Sequence, residues 1–423
     1  MSTVRRVLGR SIRAAGRGAL VAGVAGVVLV GLVAQSAAYL LGYAAPTADG
    51  AAERAAYVGL DHAAPGPHRV GVRRIGSDDA PMDLTVWYPA VGSTDDAEPL
   101  TYSYALTALG GTATALATYE GRGRLGAAPD LARGPYPLVL LSAGFAITPE
   151  SYAWLAEHLA SHGLVVAAPA HPETLDPRTL WRSTIERPAA VARARAYLEA
   201  EARPGGDLAG SVDPRRVAVI GHSYGGYTAL ASGGARLDAD AFAAGCVEAR
   251  ATDDPLVFLC DALEPRMPEV VAATGNGGPA PEPVDAVVSL AGDAAMFGGA
   301  GLAGVTAPVL TVGGTGDDDS PFRWSTRLAY EGVASVRKAE VALEGAAHFV
   351  FTGECDRARR VVALVPNGFC GDPAWDRARA RAVVRHYVAA FLLAELGGDG
   401  SARGALAPRR GSPEGVGYRA VGY

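Results

Sequence analysis

The chain has 423 residues, of which 49% are hydrophobic, so it is long enough to bury one large core and to carry extensions. Its formal net charge of −6 argues against nucleic acid as a partner, because nucleic-acid binding usually needs a basic face. Lys338 is the only lysine and lies in a polar stretch, which disfavours Schiff-base chemistry.

The N-terminal segment places basic residues before a long uncharged stretch. Residues 1–18 contain five arginines and no acidic residue, and residues 19–42 carry no charge. As a helix the uncharged stretch would span about 36 Å, which is enough to cross the roughly 30 Å hydrocarbon core of a bilayer. We therefore predict a cytoplasmic basic segment at 1–18 and a transmembrane anchor at 19–42.

The positive-inside rule orients this anchor with the arginines in the cytoplasm. The sequence thus predicts a single-pass protein of the cell membrane whose main domain is extracytoplasmic. Small residues between Ala34 and Ala48 leave open a cleaved signal peptide, in which case the protein would be secreted.

The four cysteines are consistent with export. Cys246 and Cys260 lie 14 residues apart, and Cys355 and Cys370 lie 15 residues apart. An even number of cysteines outside the cytoplasm favours disulfides, and we predict the pairs 246–260 and 355–370. There is no C-x-x-C spacing, so no metal site is predicted.

Beyond the N-terminal segment, strand patterns alternate with helix patterns. Residues 43–67 are rich in Ala, Gly and Pro and predict a linker, whereas residues 92–134 fit no clear pattern. The predicted strands are 68–75, 82–88, 138–141, 164–168, 217–220, 284–290, 309–312 and 336–343, and the predicted helices are about 148–161, 186–201, a segment from Tyr224 onward and 375–396.

This alternation predicts a mostly parallel central sheet with helices on both faces. Wholly apolar runs such as 138–141 are typical of strands buried on both faces. We assign residues 68–396 to one α/β domain. Residues 397–423 are rich in Gly, Pro and Arg and predict a disordered tail.

The segment Val217–Gly226 reads V-A-V-I-G-H-S-Y-G-G and contains the motif G-x-S-x-G centred on Ser223. In this motif a strained turn between strand and helix lifts the serine Oγ above the sheet, and small residues on either side let the two elements approach. An apolar strand precedes the motif and a helical segment follows it. We therefore predict an α/β-hydrolase fold with Ser223 as the nucleophile.

A serine nucleophile needs a base, and in this fold the histidine follows the serine and the acid along the chain. His348 and His386 are the histidines after Ser223. His386 falls within the last predicted helix, whereas His348 falls in a loop just after the last predicted strand. We predict that His348 is the base.

The acid that orients this base has two candidates. Asp317 follows the strand 309–312, and Asp293 follows the strand 284–290. Both positions lie at the carboxyl ends of strands, where α/β sheets carry their sites. We favour Asp317 and keep Asp293 as the alternative.

An oxyanion hole needs two backbone N–H donors. One is expected from the residue after the nucleophile, Tyr224. The other is expected from the loop after the strand 138–141, where Phe145 is the candidate.

Several segments resemble the family that joins platelet-activating-factor acetylhydrolases with bacterial predicted dienelactone hydrolases. They are 82–89, ending in T-V-W-Y-P; 136–171, with Y-P-L-V-L-L-S-A-G-F and L-A-S-H-G-L-V-V-A-A-P-A-H; the elbow 221–226; the segment 290–297; and His348-Phe-Val-Phe. The resemblance covers about residues 69–396 and implies ester hydrolysis on an α/β-hydrolase fold. The segment 290–297 resembles the one that carries the acid in the acetylhydrolases, which supports Asp293.

Two positions depart from that family. Ala143-Gly144 stands where the family usually has His-Gly, which changes a side chain near the oxyanion hole and leaves the amide donor. The elbow carries serine, whereas dienelactone hydrolases proper use cysteine, which argues against a dienelactone substrate.

These residues together predict a serine carboxylic-ester hydrolase that needs no cofactor. The expected substrates are short- to medium-chain or lipid-derived esters, such as acetylated phospholipids. An acyltransferase that uses the same three residues, and a non-catalytic binding module tethered to the membrane, are the alternatives.

Overall fold

The computed structural model describes residues 60–76, 78–92, 100–107, 113–274, 282–353, 371–408 and 412–423. The predicted basic segment 1–18, the predicted anchor 19–42 and residues 43–59 of the predicted linker lie outside these ranges. Within the described ranges, no helix combines the length and the apolar character needed to cross a bilayer.

The strands of the described residues are β1 Arg69–Ile75, β2 Leu84–Ala90, β3 Thr101–Thr107, β4 Ala113–Glu120, β5 Arg124–Leu125, β6 Tyr136–Ser142, β7 Val165–Pro169, β8 Val212–His222, β9 Ala286–Leu290, β10 Val309–Gly314, β11 Lys338–Leu343 and β12 Val416–Val421. Ten of them form one sheet, in the order β12-β11-β10-β9-β8-β6-β7-β2-β1-β5, and β3 and β4 form a separate two-stranded sheet.

The centre of the large sheet is parallel and its margins are mixed. The six neighbouring strands from β7 through β6, β8, β9 and β10 to β11 pair in parallel. Antiparallel pairs join β2 to β7, β1 to β2, and β12 to β11. Because the parallel strands end at one edge, the loops that follow them meet there, and the candidate site lies on these loops.

Ten α-helices lie in the described part of the chain. They are α1 Ala153–Ser161, α2 Leu180–Glu201, α3 Tyr224–Ser232, α4 Ala239–Thr252, α5 Val257–Leu263, α6 Met267–Thr274, α7 Gly298–Leu302, α8 Thr326–Gly332, α9 Arg377–Gly397 and α10 Gly400–Ala405. Short 3₁₀ turns occur at Pro149–Tyr152, Pro177–Thr179, Glu264–Arg266, Ala295–Phe297 and His348–Phe351.

The helices cover both faces of the sheet. Alternate residues of β6 show this division, since Val139 and Leu141 pack with α1 and α9 whereas Leu138 and Leu140 pack with α2, α3 and α4. A strand with side chains buried in both directions is expected to be largely apolar, as residues 137–141 of β6 are. Helices on both faces of a mixed, centrally parallel sheet are consistent with the predicted α/β-hydrolase fold.

Helix α2 begins six residues before the predicted start at Glu186. Pro188 lies inside this helix, where proline removes the hydrogen bond to the carbonyl four residues earlier. That carbonyl belongs to Thr184, and it accepts a hydrogen bond of 2.9 Å from the hydroxyl of Tyr227 instead. A tertiary contact therefore allows the helix to continue through the proline.

The prediction of a disordered tail at 397–423 is wrong, because this segment contains α10 and the edge strand β12. Val416 is buried, and the ring of Tyr418 stacks on that of Tyr387 with centroids 4.9 Å apart. The hydroxyl of Tyr418 donates to the carbonyl of Leu406 at 2.7 Å. The Gly, Pro and Arg content did not predict this strand, because its partner β11 lies about 75 residues earlier in the sequence.

The folded domain also begins before residue 68. Leu60 and Ala63, placed in the predicted linker, are buried in the core. The backbone N–H of His62 donates to Nδ1 of His386 at 3.1 Å, which ties this segment to α9. At least residues 60–67 therefore belong to the domain.

The disulfide predicted between Cys246 and Cys260 is confirmed, with a Cα–Cα distance of 5.6 Å. It joins α4 to α5 in a helical segment that the sequence patterns did not predict, and both cysteines are buried. The second predicted pair, Cys355 and Cys370, lies outside the described residues.

Removing this disulfide should lower stability without touching the candidate site. For the double variant C246A/C260A we expect the free energy of unfolding to fall by about 3 kcal/mol. The disulfide joins residues 14 positions apart, and the closed loop reduces the conformational entropy of the unfolded chain. Urea denaturation followed by circular dichroism measures the difference. A change below about 1 kcal/mol would contradict a stabilising role.

Candidate functional site

The turn between β8 and α3 carries Ser223 in a strained backbone conformation. Its φ of 56° and ψ of −124° are rarely adopted by a residue with a side chain. The neighbouring glycines are required by close approach, because a Cβ added to Gly221 would lie 2.0 Å from the carbonyl oxygen of Gly225. A Cβ added to Gly225 would lie 2.0 Å from the carbonyl oxygen of Ser142. The sequence prediction of a tight elbow at this serine therefore agrees with the geometry.

The loops after β10 and β11 bring His348 and Asp317 together. The imidazole Nδ1–H donates to Oδ2 of Asp317 at 2.7 Å, and both side chains are buried. The backbone N–H groups of Asp319 and Ser320 donate to Oδ1 of Asp317 at 2.9 and 2.8 Å, which fixes the carboxylate. Since Nδ1 is engaged, Nε2 is the ring nitrogen left to receive a proton.

The alternative acid has a different partner. Asp293 Oδ1 accepts a hydrogen bond of 2.7 Å from the hydroxyl of Ser320. Burial raises the pKa of Asp293 to about 6, against the opposing effects of Ser320 and of His348. Asp317 is thus the carboxylate that is hydrogen-bonded to the imidazole of His348. Asp293 is linked to Asp317 through Ser320, whose hydroxyl donates to Asp293 and whose backbone N–H donates to Asp317.

The electrostatics of this cluster bear on the protonation of His348. Burial opposes the charged imidazolium, but the Asp317 carboxylate and its hydrogen bond, with Asp319 and Asp293 nearby, outweigh it and raise the pKa of His348 above its usual range. A base must be neutral before it accepts a proton, so this shift should set the pH range of activity.

The pH profile of kcat/KM provides a test of that electrostatic arrangement. We expect the rising limb of the profile to have its midpoint above about 6.5, the ordinary value for histidine. In Asp317→Asn the midpoint of the rising limb should move to lower pH, because burial then lowers the pKa of His348 without the opposing Asp317 carboxylate. Initial rates on a p-nitrophenyl ester between pH 5 and 10 measure both midpoints. A midpoint for the parent at or below that of free histidine would contradict the arrangement.

His222, the residue before the serine, connects the three loops of the site. Its Nε2–H donates to the carbonyl oxygen of His348 at 3.2 Å, which assigns the proton to Nε2 because a carbonyl can only accept. Its Nδ1 then accepts from the hydroxyl of Tyr152 at 2.8 Å, and that hydroxyl accepts from the N–H of Gly144 at 3.1 Å. Burial, followed by the charge of His348, lowers the pKa of His222 well below its ordinary value, so it stays neutral.

The two predicted oxyanion donors lie on neighbouring segments, the loop after β6 and the start of α3. Tyr224 is the first residue of α3, and the first N–H groups of a helix have no partner within it. The N–H of Phe145 has no acceptor among the residues that the structure describes. The rings of Phe145 and Tyr224 meet edge to face with centroids 6.3 Å apart. Two backbone N–H groups without a described acceptor therefore lie on neighbouring segments, and stabilisation of an oxyanion needs donors of this kind.

Several contributors to the site carry no recognisable sequence signal. Tyr152 and the buried pair Arg187 and Glu173 contact the site through hydrogen bonds that no spacing rule predicts. Among the described residues, no three His, Cys, Asp or Glu side chains come together in an arrangement that would hold a metal ion.

A comparison with known protein families matches part of the chain. Residues 122–284 match the family described as Chlorophyllase. The matched segment is less than half of the chain; it includes β6, β7, β8 and the elbow serine, and it ends before Asp293, Asp317 and His348. No curated protein matches the chain.

The matched family acts on esters as a hydrolase, and its fold is of the α/β-hydrolase type. The segment that carries Ser223 is therefore similar to serine ester hydrolases in general. The narrower resemblance to platelet-activating-factor acetylhydrolases and dienelactone hydrolases stays a prediction.

Proposed function

We propose that this chain is a serine carboxylic-ester hydrolase that forms an acyl-enzyme on Ser223. The observation that carries the proposal is the buried hydrogen bond of 2.7 Å between His348 Nδ1 and Asp317 Oδ2. His348 also contacts the elbow, because its carbonyl oxygen accepts a hydrogen bond of 3.2 Å from His222. A tight turn with a purely structural role has no need of a buried imidazole and carboxylate beside it. The similarity of residues 122–284 to ester hydrolases supports the same conclusion.

In the first half of the reaction the Ser223 Oγ attacks the ester carbonyl carbon while His348 Nε2 takes the hydroxyl proton. The carbonyl oxygen becomes an oxyanion that the N–H groups of Phe145 and Tyr224 stabilise. Asp317 holds the imidazole orientation and stabilises the imidazolium. The intermediate then collapses, the bond to the alkoxy oxygen breaks, and His348 donates the proton to the departing alcohol.

In the second half a water molecule attacks the acyl-enzyme, and His348 again takes a proton. The second oxyanion uses the same two backbone donors. Collapse releases the carboxylic acid and returns the proton to Ser223. Each proton that leaves the serine or the water is thereby accounted for by the same imidazole.

Active-site labelling tests this proposal directly. We expect a fluorophosphonate probe to label the full-length chain, and Ser223→Ala and His348→Ala to abolish labelling. Ser401→Ala, which changes an exposed serine, is the matched control and should label as the parent does. A folded parent that neither labels nor hydrolyses p-nitrophenyl esters would overturn the proposal and favour a binding module. Faster transfer to an added alcohol than to water would identify an acyltransferase.

For the substrate, we propose short- to medium-chain or lipid-derived esters such as acetylated phospholipids. The support is the family resemblance of the segments quoted above and the uncharged stretch 19–42, which would hold the domain near lipid. Rates on p-nitrophenyl esters from acetyl to dodecanoyl, beside a 2-acetyl phospholipid, test the range. A preference that rises steadily to the longest acyl chains would overturn it.

We also propose that the domain acts outside the cytoplasm, anchored by residues 19–42. The buried disulfide between Cys246 and Cys260 supports this location, because disulfides persist mainly in oxidising compartments. A protease added outside intact cells should cleave the domain of the membrane-bound chain. Recovery from the culture medium would point to a cleaved signal, and protection inside the cell would contradict the proposal.

A further inference from the structure

A buried ion pair beside the site has no part in the proposed proton transfers. Arg187 of α2 and Glu173, which follows β7, form two hydrogen bonds, from Nε to Oε1 at 2.6 Å and from Nη2 to Oε2 at 2.5 Å. Their side chains are only 1% and 7% exposed. Burial of two charges is costly and stabilises a fold only weakly, so the pair calls for another explanation.

Both members of the pair bind the loop that follows β6. Arg187 Nη1 donates to the carbonyl of Ala143 at 2.6 Å, and Nη2 donates to the carbonyl of Gly144 at 3.0 Å. Glu173 Oε2 accepts from the N–H of Ala146 at 3.2 Å. Three successive peptide groups of one loop are therefore held by one ion pair.

The planarity of the peptide bond determines the direction of the Phe145 N–H from these contacts. In a planar trans peptide the C=O and the following N–H point to opposite sides. The carbonyl of Gly144 faces Arg187, so the N–H of Phe145 faces away from it. The same relation explains the preceding peptide, in which the carbonyl of Ala143 faces Arg187 and the N–H of Gly144 reaches the Tyr152 hydroxyl.

The charges of the pair are stable across the working pH range. Burial opposes ionisation of Glu173, but the charge and hydrogen bonds of Arg187 outweigh it and bring the pKa of Glu173 to about 2. Burial and the nearby Arg187 lower the pKa of His171 to about 3, so this neighbour stays neutral. A fixed cation behind the Gly144 carbonyl also polarises the peptide whose N–H belongs to Phe145.

We propose that Arg187 and Glu173 are positioning residues that aim the N–H of Phe145 at the carbonyl oxygen of the bound ester. The inference rests on the proposed function, because it assumes that Phe145 donates to an oxyanion. It assigns the pair to stabilisation of the transition state, through the loop, rather than to stability of the fold.

The kinetic test compares Arg187→Lys with the parent and with Arg193→Met. Arg193 lies on the same helix and is exposed, so its variant should behave as the parent does. Lysine keeps the charge, but a single ammonium cannot serve Glu173 and two carbonyls in the same planar geometry. For Arg187→Lys we expect kcat to fall about 100- to 1,000-fold, the cost of losing one oxyanion donor, with KM changed less than threefold.

An inhibitor series distinguishes positioning from folding. A trifluoromethyl ketone adds to Ser223 and creates an oxyanion, so its affinity should fall by the same factor as kcat. The matching methylene ether has no carbonyl and should bind parent and variant equally. Endpoint labelling by fluorophosphonate counts the folded sites, and Glu173→Gln, which keeps the shape of the side chain, should show a smaller loss in the same direction.

The possible results separate this inference from the proposed function. If the ketone binds Arg187→Lys and Glu173→Gln as it binds the parent, or if kcat falls only in proportion to labelled sites, the pair is structural and the inference is wrong. If the parent itself neither labels nor turns over esters, the proposed function fails and the inference fails with it.

Discussion

Asp317→Asn should lower kcat about 10⁴-fold, while Asp293→Asn should lower it less than about tenfold. Asparagine at 317 presents no carboxylate to His348 Nδ1 and favours the wrong tautomer of the ring. Asparagine at 293 can still accept the hydrogen bond from the Ser320 hydroxyl through its amide oxygen. Steady-state rates on a p-nitrophenyl ester at a fixed pH above 7, with melting temperatures for both variants, measure the contrast.

The two variants are each other's controls, since each replaces a carboxylate of the same cluster by its isosteric amide. A larger loss for Asp293→Asn would show that the acid follows β9, the arrangement implied by the acetylhydrolase resemblance. Equal losses with lowered melting temperatures would mean that the whole carboxylate cluster supports the loop.

Gly225→Ala should damage both the fold and the activity. The added Cβ would lie 2.0 Å from the carbonyl oxygen of Ser142, which is backbone and cannot rotate away. We expect a loss of about 3 kcal/mol or more in the free energy of unfolding. We also expect at least a 100-fold fall in kcat, because relief of the clash moves the loop that carries Phe145.

Gly299→Ala is the matched control for this substitution. Gly299 lies in α7, and a Cβ there meets no atom within 4 Å. Alanine at that position should leave activity unchanged and stabilise the protein by up to about 1 kcal/mol. A Gly225→Ala variant that melts and turns over like the parent would show that the elbow is looser than its geometry indicates.

Local patterns in the sequence were enough to find the centre of the fold. The apolar runs of β6, β7 and β8 identify strands buried on both faces, and the motif around Ser223 supplies its own context of strand, turn and helix. His348 could be chosen by chain order and by its position in a loop. The strands and the elbow could be inferred from short local segments, and His348 needed only its order in the chain in addition.

Contacts between distant segments could not be predicted in the same way. Asp317 and Asp293 both follow parallel strands, and the choice between them depends on loop backbone that turns Asp317 toward the imidazole. Arg187 resembles any other arginine of a helix that is rich in them, and only tertiary structure brings it to the Gly144 carbonyl. Composition failed in the same way at β12, whose pairing partner is far away in the sequence.

The pairing of β12 with β11 has a consequence for solubility. Without the last strand, β11 would offer a row of unpaired backbone donors and acceptors along which a second chain could add. The pairing with β12 covers that row. On β12, which is now the edge strand, the charged side chain of Arg419 donates a hydrogen bond of 2.9 Å to the buried Glu340. At the opposite margin β5 is only two residues long. Both edges of the ten-stranded sheet thus carry features that hinder the addition of a second chain. Removal of residues 412–423 should therefore cause aggregation, while the residues of the candidate site remain in the shortened chain.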